Sequence, residues 1–233
     1  MQHAKHRSSI PELHTVYCVV LPSLVFVTLL FFALVLVTGC ASVFSDLQSA
    51  KLVSKGRFEA TPSFSSVYFS EDGDRDHVQN HLGLQAAYGM GNNIDLRVRS
   101  ERIATDADGG DPFAAYVLGF GPKTGIVKDK VALYLPVGFA FGGDIEDVSE
   151  TWEFHPTLLF TRSTGNHFEL NPSAKALIPL TNEDADVQVA LNLGIGISAD
   201  LQKWVVRPEL GFLLNPGEDG HYTHFSIACT VYP

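Results

Sequence analysis

The chain has 233 residues and a formal net charge of −10, with 26 acidic residues against 16 Lys and Arg. That balance excludes nucleic acid as an electrostatic partner, and three cysteines, of which the leader and a lipid would take two, leave no pair for a disulfide scaffold or a cysteine-based metal site. Only 18% of the residues are charged, where water-soluble domains average about 25%, so something other than water covers much of the outside.

Residues 1–16 are polar and carry Lys5 and Arg7, and from Val16 to Thr38 the chain is uncharged and dominated by Val, Leu and Phe. A positive stretch followed by an apolar one reads as a secretory signal. It ends in Val37-Thr38-Gly39-Cys40, which resembles the lipobox of bacterial lipoproteins. The resemblance implies a signal peptide over 1–39, Cys40 as the lipidation site, and a lipidated tether over 40–56. Ala41 follows the cysteine; in that family an Asp at this place is associated with retention at the inner membrane. An uncleaved transmembrane helix interrupted by Pro22 is the alternative, since the run is long enough to span a bilayer, and ordinary cleavage is a third reading. Removing 1–39 takes away Lys5, Arg7 and Glu12 and leaves a net charge of −11. Cys18 leaves with the leader and Cys40 takes the lipid, so Cys229 has no partner for a disulfide and serves as a small apolar residue. Residues 41–56 are too short for a domain and read as a tether, one arrangement being tucked into the domain formed by the rest of the chain.

From about Arg57 onward the chain alternates apolar and polar with period two, over approximately 57–69, 77–90, 93–103, 112–123, 130–142, 151–162, 167–180, 186–198, 203–214 and 222–232. The clearest stretch puts Val187, Val189, Leu191, Leu193, Ile195 and Ile197 on one face and Gln188, Ala190, Asn192, Gly194, Gly196 and Ser198 on the other. Most stretches exceed ten residues, which suits tilted membrane strands better than the shorter strands of soluble sheets. Prolines 62, 136, 156, 172, 179 and 208 each remove a ladder donor, so bulges or shortened strands are expected there. Ten strands is the count this gives, with eight or twelve as alternatives.

The faces separate two architectures. A soluble lipocalin-like barrel would hide the bulky apolar face and show Lys, Glu and Thr to water. Here the polar face is rich in Gly, Ala, Ser, Asn and Gln, which suits the crowded inside of a narrow barrel, and aromatics such as Tyr88, Phe113, Phe141, Trp152 and Trp204 fall toward strand ends, as interface girdles require. The membrane arrangement predicts that charge at Leu135 or Leu191 blocks insertion while charge at Asn192 is tolerated.

The connections alternate in length and charge. Those read as long contain Glu71, Asp72, Asp74 and Asp76; Asp106, Asp108 and Asp111; Asp144, Glu146, Asp147 and Glu150; Glu183, Asp184 and Asp186; and Glu218 and Asp219, with Arg75 as their basic companion. The short ones, Gly91-Asn92, 128–130, Gly165-Asn166 and 200–203, are neutral or basic. An even strand count places both ends of the barrel on the short-turn rim, hence a lipid-anchored N-terminus on the periplasmic side. By this pattern the chain over 57–233 resembles bacterial outer-membrane β-barrel proteins of Gram-negative cell envelopes. The resemblance implies an all-β, up-and-down antiparallel barrel, located in the outer membrane among outer-membrane lipid and lipopolysaccharide. The segment Phe225–Pro233 resembles the terminal strand read by the barrel-insertion machinery, ending in Pro where the family has an aromatic.

The candidate interior charges are Asp95, Arg97, Arg99, Glu101, Glu153, Glu169, Lys175, Arg207 and Glu209, together with Glu59 and His155. Salt bridges filling a small lumen account for them, since buried charges need partners; a polar path or binding cleft is the functional alternative. Asp72-Gly73-Asp74-Arg75-Asp76 and Asp106–Asp111 resemble calcium-loop fragments, but His77 stands where the loop Gly belongs and the closing Glu is missing. No metal site is therefore expected beyond loose divalent cations at the acidic loops. His224-Phe225-Ser226 resembles the His-x-Ser pair of outer-membrane lipid A deacylases, although it sits in the final strand and points inward. His155, His221 and His224 with the rim aspartates offer a weaker likeness to the water-activating site of omptins. The expectation is a non-enzymatic barrel without cofactors, in a structural, adhesive or narrow-channel role; a periplasmic lipoprotein barrel binding an apolar ligand and an outer-membrane hydrolase are the alternatives.

Overall fold

A computed structural model describes residues 43–105, 114–143, 145–181, 185–217 and 219–233. The leader, Cys40 and the acidic positions 106, 108, 111, 144, 183, 184 and 218 lie outside the described residues. Among those described, ten antiparallel strands close into a barrel: β1 (Phe58–Glu71), β2 (Asp74–Gly91), β3 (Ile94–Thr105), β4 (Ala114–Val127), β5 (131–141), β6 (153–164), β7 (Phe168–Pro179), β8 (Gln188–Ile197), β9 (Trp204–Leu214) and β10 (His221–Val231). Each strand pairs with its sequence neighbour, and β10 pairs with β1 from Ala60↔Val231 to Ser70↔His221, so no edge is left open.

Two prolines break strands as their missing donor requires. β5 divides into Val131–Tyr134 and Val137–Phe141 around Pro136. β6 divides into Glu153–Phe154, Thr157–Phe160 and Arg162–Thr164, the first gap holding Pro156. The proline carbonyls still serve the wall: His155 N donates to Pro136 O (2.9 Å) and Ala176 N to Pro156 O (3.1 Å). Pro62, Pro172 and Pro208 stay in register opposite Leu84, Leu193 and Ile227.

The period-two pattern resolves into an apolar outside and a polar inside. Leu82, Leu84, Leu191, Leu193, Leu210, Phe225 and Ile227 are all exposed, Leu82 to 57%, and Cys229 is exposed on the same wall. Aromatic pairs mark both rims. Phe58 packs on Tyr88 at 4.7 Å beside the short turns; Phe139 on Trp152 at 4.8 Å and Phe69 on Tyr222 at 4.9 Å lie at the acidic rim. Among the described residues no helix is long and apolar enough to cross a membrane; a barrel crosses with strands.

One connection differs from its sequence reading. Glu71–Asp76 is not a long loop but the tip of a hairpin, with β1 and β2 paired out to Glu71↔Asp74 across a two-residue turn. Asp72 (φ 52°) and Gly73 (φ 95°) carry the two positive dihedrals that such a turn needs. Arg75 is held there over the Tyr68 ring at 4.3 Å. Elsewhere on this rim Ser149 donates from its hydroxyl and its amide to Asp147, holding that carboxyl below the usual aspartate range. At a short turn, the Gln202 amide and then Lys203 do the same for Asp200.

Candidate functional site: a lumen filled by its own chain

The inner wall is lined with charge, and the object that meets it is the segment preceding β1. Residues 43–50 are all buried. β1 begins on the short-turn rim, as strand parity requires, but the chain before it turns back and runs along the inside of the barrel.

Contacts descend in order. The Phe44 ring sits in an apolar pocket of Val67, Leu177, Ala190 and Leu213 and meets His224 edge-on at 4.7 Å. Its carbonyl accepts from Asn192 Nδ2 (2.8 Å). Ser45 O accepts from Lys175 Nζ (3.0 Å) and from Arg99, which also reaches Ser45 Oγ (2.6 Å). Asp46 pairs with Lys175 (2.8 Å), accepts from Asn192 Nδ2 (2.8 Å) and from the Ser173 hydroxyl, and its carbonyl accepts from Gln85 (3.0 Å). The Asp46 and Leu47 amides donate to the two oxygens of Glu209, at 2.7 and 2.8 Å. Two successive amides converging on one carboxylate is how backbone nests hold anions, and the positive φ of Leu47 (55°) lies at that turn.

Below this level Lys123 Nζ donates to Ser49 O (2.9 Å), the Ala50 amide donates to Thr161 Oγ1 (2.7 Å), and Ala50 packs with Ala132, Tyr134 and Leu159. Lys51 pairs with Glu169, the Val53 amide donates to Asp95 Oδ2 (3.0 Å), and Lys55 bridges to Gly89 at the short-turn rim. Gly89 is where a side chain has no room: a Cβ there would collide with the Val53 and Ser54 carbonyls. Most of these contacts go to main-chain atoms, so the wall holds an extended peptide as much as a particular sequence.

The wall charges also pair with one another. Arg97 binds Glu59 (2.8 Å) and Asp95 (3.0 Å); Arg99 binds Glu101, which also faces His81 (3.4 Å); and Arg207 reaches Glu169 (3.5 Å) and Thr230 (3.1 Å). Glu153 is only half-buried and pairs with His155 (2.7 Å). The structure thus places Asp95, Arg97, Arg99, Glu101, Glu169, Lys175, Arg207 and Glu209 inside the barrel, and the segment adds Asp46 and Lys51 as partners of Lys175 and Glu169. The sequence reading left out Lys123, fully buried here. Its parity with Val117, Gly119 and Gly121 along β4 was the available signal.

His224 and Ser226 share the inner face. His224 Nδ1 lies 2.6 Å from Ser226 Oγ, His224 Nε2 lies 3.0 Å from Asn192 Oδ1, and Ser226 is also bonded to Ser65 (2.6 Å). Ser226 is 0% exposed and Phe44 covers the imidazole, so an acyl chain in the surrounding lipid does not reach them. At the acidic rim a cleft of about 380 Å³ opens between the hairpin tip and Gly220-His221. Among the described residues no group of three or more His, Cys, Asp or Glu side chains could hold a metal ion.

The fold is that of the bacterial outer-membrane β-barrels. An outer-membrane channel from Pseudomonas putida F1 aligns with a TM-score of 0.51 at 10% identity, over 81% of this chain and 100% of that one. The attachment invasion locus protein Ail of Yersinia pestis aligns at 0.38 and 14% identity, over 77% of this chain and 99% of its own. The translocator domain of the autotransporter NalP from Neisseria meningitidis aligns at 0.41 and 10%, over 77% and 89%. At these identities the likeness concerns the fold alone. No protein-family model matches the chain, and no curated protein does.

Proposed function

We propose that this chain is an outer-membrane barrel lipoprotein, anchored through Cys40, sealed by its own N-terminal segment, and acting at the surface through its acidic rim. The observation that carries this reading is the pairing of an apolar, aromatic-girdled exterior with a lumen filled by residues 43–53. A barrel so filled has no free aqueous path of the kind open porins keep, which favours a structural or adhesive role over conduction. It is non-enzymatic in this reading: Ser226 and His224 brace the wall around Phe44. The alternative of a periplasmic barrel binding an apolar ligand needs an apolar interior, and the described interior is a charge network. The partners are outer-membrane lipid and lipopolysaccharide, whose phosphates loose divalent cations would bridge to the acidic connections, with the barrel-insertion machinery acting during assembly.

The test is electrophoresis of the outer-membrane fraction, unboiled against boiled, after metabolic labelling with palmitate. A labelled band that requires detergent and shifts on boiling supports both the barrel and the anchor. A labelled protein released soluble once the anchor is cleaved, with no shift, overturns the membrane reading, and a heat-shifting band without label overturns the lipid.

A further inference from the structure

We propose that the barrel carries its own N-terminal chain across the membrane inside its lumen, so that the residues preceding Val43 are displayed on the acidic rim rather than among the short turns. The inference rests on the membrane reading above, and it concerns the side of the membrane rather than the presence of a lipid.

The direction of the segment is fixed at three levels. At the top, Phe44 clusters with Val67, Leu177, Ala190 and Leu213 and meets His224, each within four residues of the acidic-rim end of its strand. In the middle, Asp46 is held by Ser173, Asn192 and Glu209, near the centres of β7, β8 and β9. At the bottom, Lys51 meets Glu169 and Val53 meets Asp95, the second residues of β7 and β3, and Lys55 meets Gly89 at the end of β2. Reversing the segment would exchange the top and bottom sets of contacts between the two rims.

Length agrees with direction. Ten residues from Phe44 to Val53 extend at most about 33–36 Å, enough to cross an apolar band of about 25 Å. Strand parity fixes where β1 starts; it does not fix where the chain before β1 comes from. That chain crosses once more than the strand count implies, and the crossing reverses the side on which it begins. Acylation of Cys40, as the lipobox resemblance implies, would then anchor the protein in the leaflet on the acidic-rim side. An anchor there holds the segment in the lumen from above, while β1 holds it from below.

The test places one epitope in three full-length proteins: between Ala41 and Ser42, after Gly217 on the acidic rim, and in the Asn92 turn. Each is checked for the heat shift of a folded barrel and stained with antibody on intact and on permeabilised cells. The 41/42 and 217 epitopes are expected to stain on intact cells, and the Asn92 epitope only after permeabilisation. A 41/42 epitope that behaves like the one at Asn92 overturns the crossing and leaves the barrel reading intact. A silent Gly217 epitope on intact cells overturns the membrane reading itself. Should the 41/42 insertion abolish the heat shift, Ser42→Cys in a Cys229→Ala background, labelled with a membrane-impermeant maleimide, asks the same question. Labelling on intact cells well above the Cys229→Ala parent supports the crossing; labelling only after permeabilisation or unfolding overturns it.

Discussion

The two faces of the same ten strands are held by different physics. Outside, Leu191, Leu193 and Ile227 turn about half of their surface away from the chain, and that half need only be apolar and of ordinary size, because lipid adapts to it. Inside, Asn192 lies between Leu191 and Leu193 yet binds Phe44, Asp46 and His224 at once. The outer wall tolerates many sequences and the inner wall few. Position 192 shows the difference: a polar inward residue reads as tolerant of charge, but a carboxylate placed there would face Asp46 across a buried contact.

The sharpest way to break the comparison is to leave a charge unpaired inside. Lys175→Met removes the partner of Asp46, and breaking a buried pair costs about 3–5 kcal/mol; the heat-shift midpoint should fall by more than for any single outward substitution. Next comes the outer wall itself. Leu191→Arg should reduce the membrane-inserted, heat-shifting fraction, since Arg on the lipid face near the midplane costs about 2–4 kcal/mol; normal insertion would contradict the assignment of faces.

A smaller effect separates recognition of the segment from general burial. Glu209→Gln keeps one acceptor for the Asp46 and Leu47 amides and loses the other, and an unsatisfied buried donor costs about 1–3 kcal/mol. Protease should then cut within 43–56 in the folded barrel faster than in the parent, with the wall intact.

The smallest effect is at the rims. Asp147 and Asp200 are exposed and lie below the ordinary carboxylate range through bonds from Ser149 and from Gln202 and Lys203. A depressed folded pKa stabilises above the unfolded value, about 3.9, and the contribution is lost as pH falls through the folded one. Lowering pH from 7 to 5 should therefore leave these turns unchanged, with any softening confined to below about pH 4. Amide exchange at Ser149 and Gln202 measures this.

Much of the wall was legible in the sequence because period-two alternation is local: all ten expected stretches appear as strands, and the inward side of Asp95, Arg97 and Glu209 follows from their apolar neighbours in the chain. The hairpin at Asp72-Gly73 was hidden by attention to charge, although Asp-Gly is itself a two-residue turn signal. The contents of the lumen were legible only in outline. A tucked tether can be read from its shortness, but the roles of Asp46, Lys51 and Lys123 depend on which residues from different strands converge at each depth. No local period encodes that. The direction of the segment is likewise a property of the closed barrel.

The central claim is that residues 44–53 fill the lumen of the folded barrel. Its most direct test is thiol reactivity at Ser49, which is 4% exposed and holds Lys123 through its carbonyl. In the full-length chain carrying Cys229→Ala, a Ser49→Cys thiol should resist a small water-soluble thiol reagent in the unboiled, folded form and react completely once the heat shift has occurred. Rapid reaction in the folded form would mean that the segment lies outside the lumen.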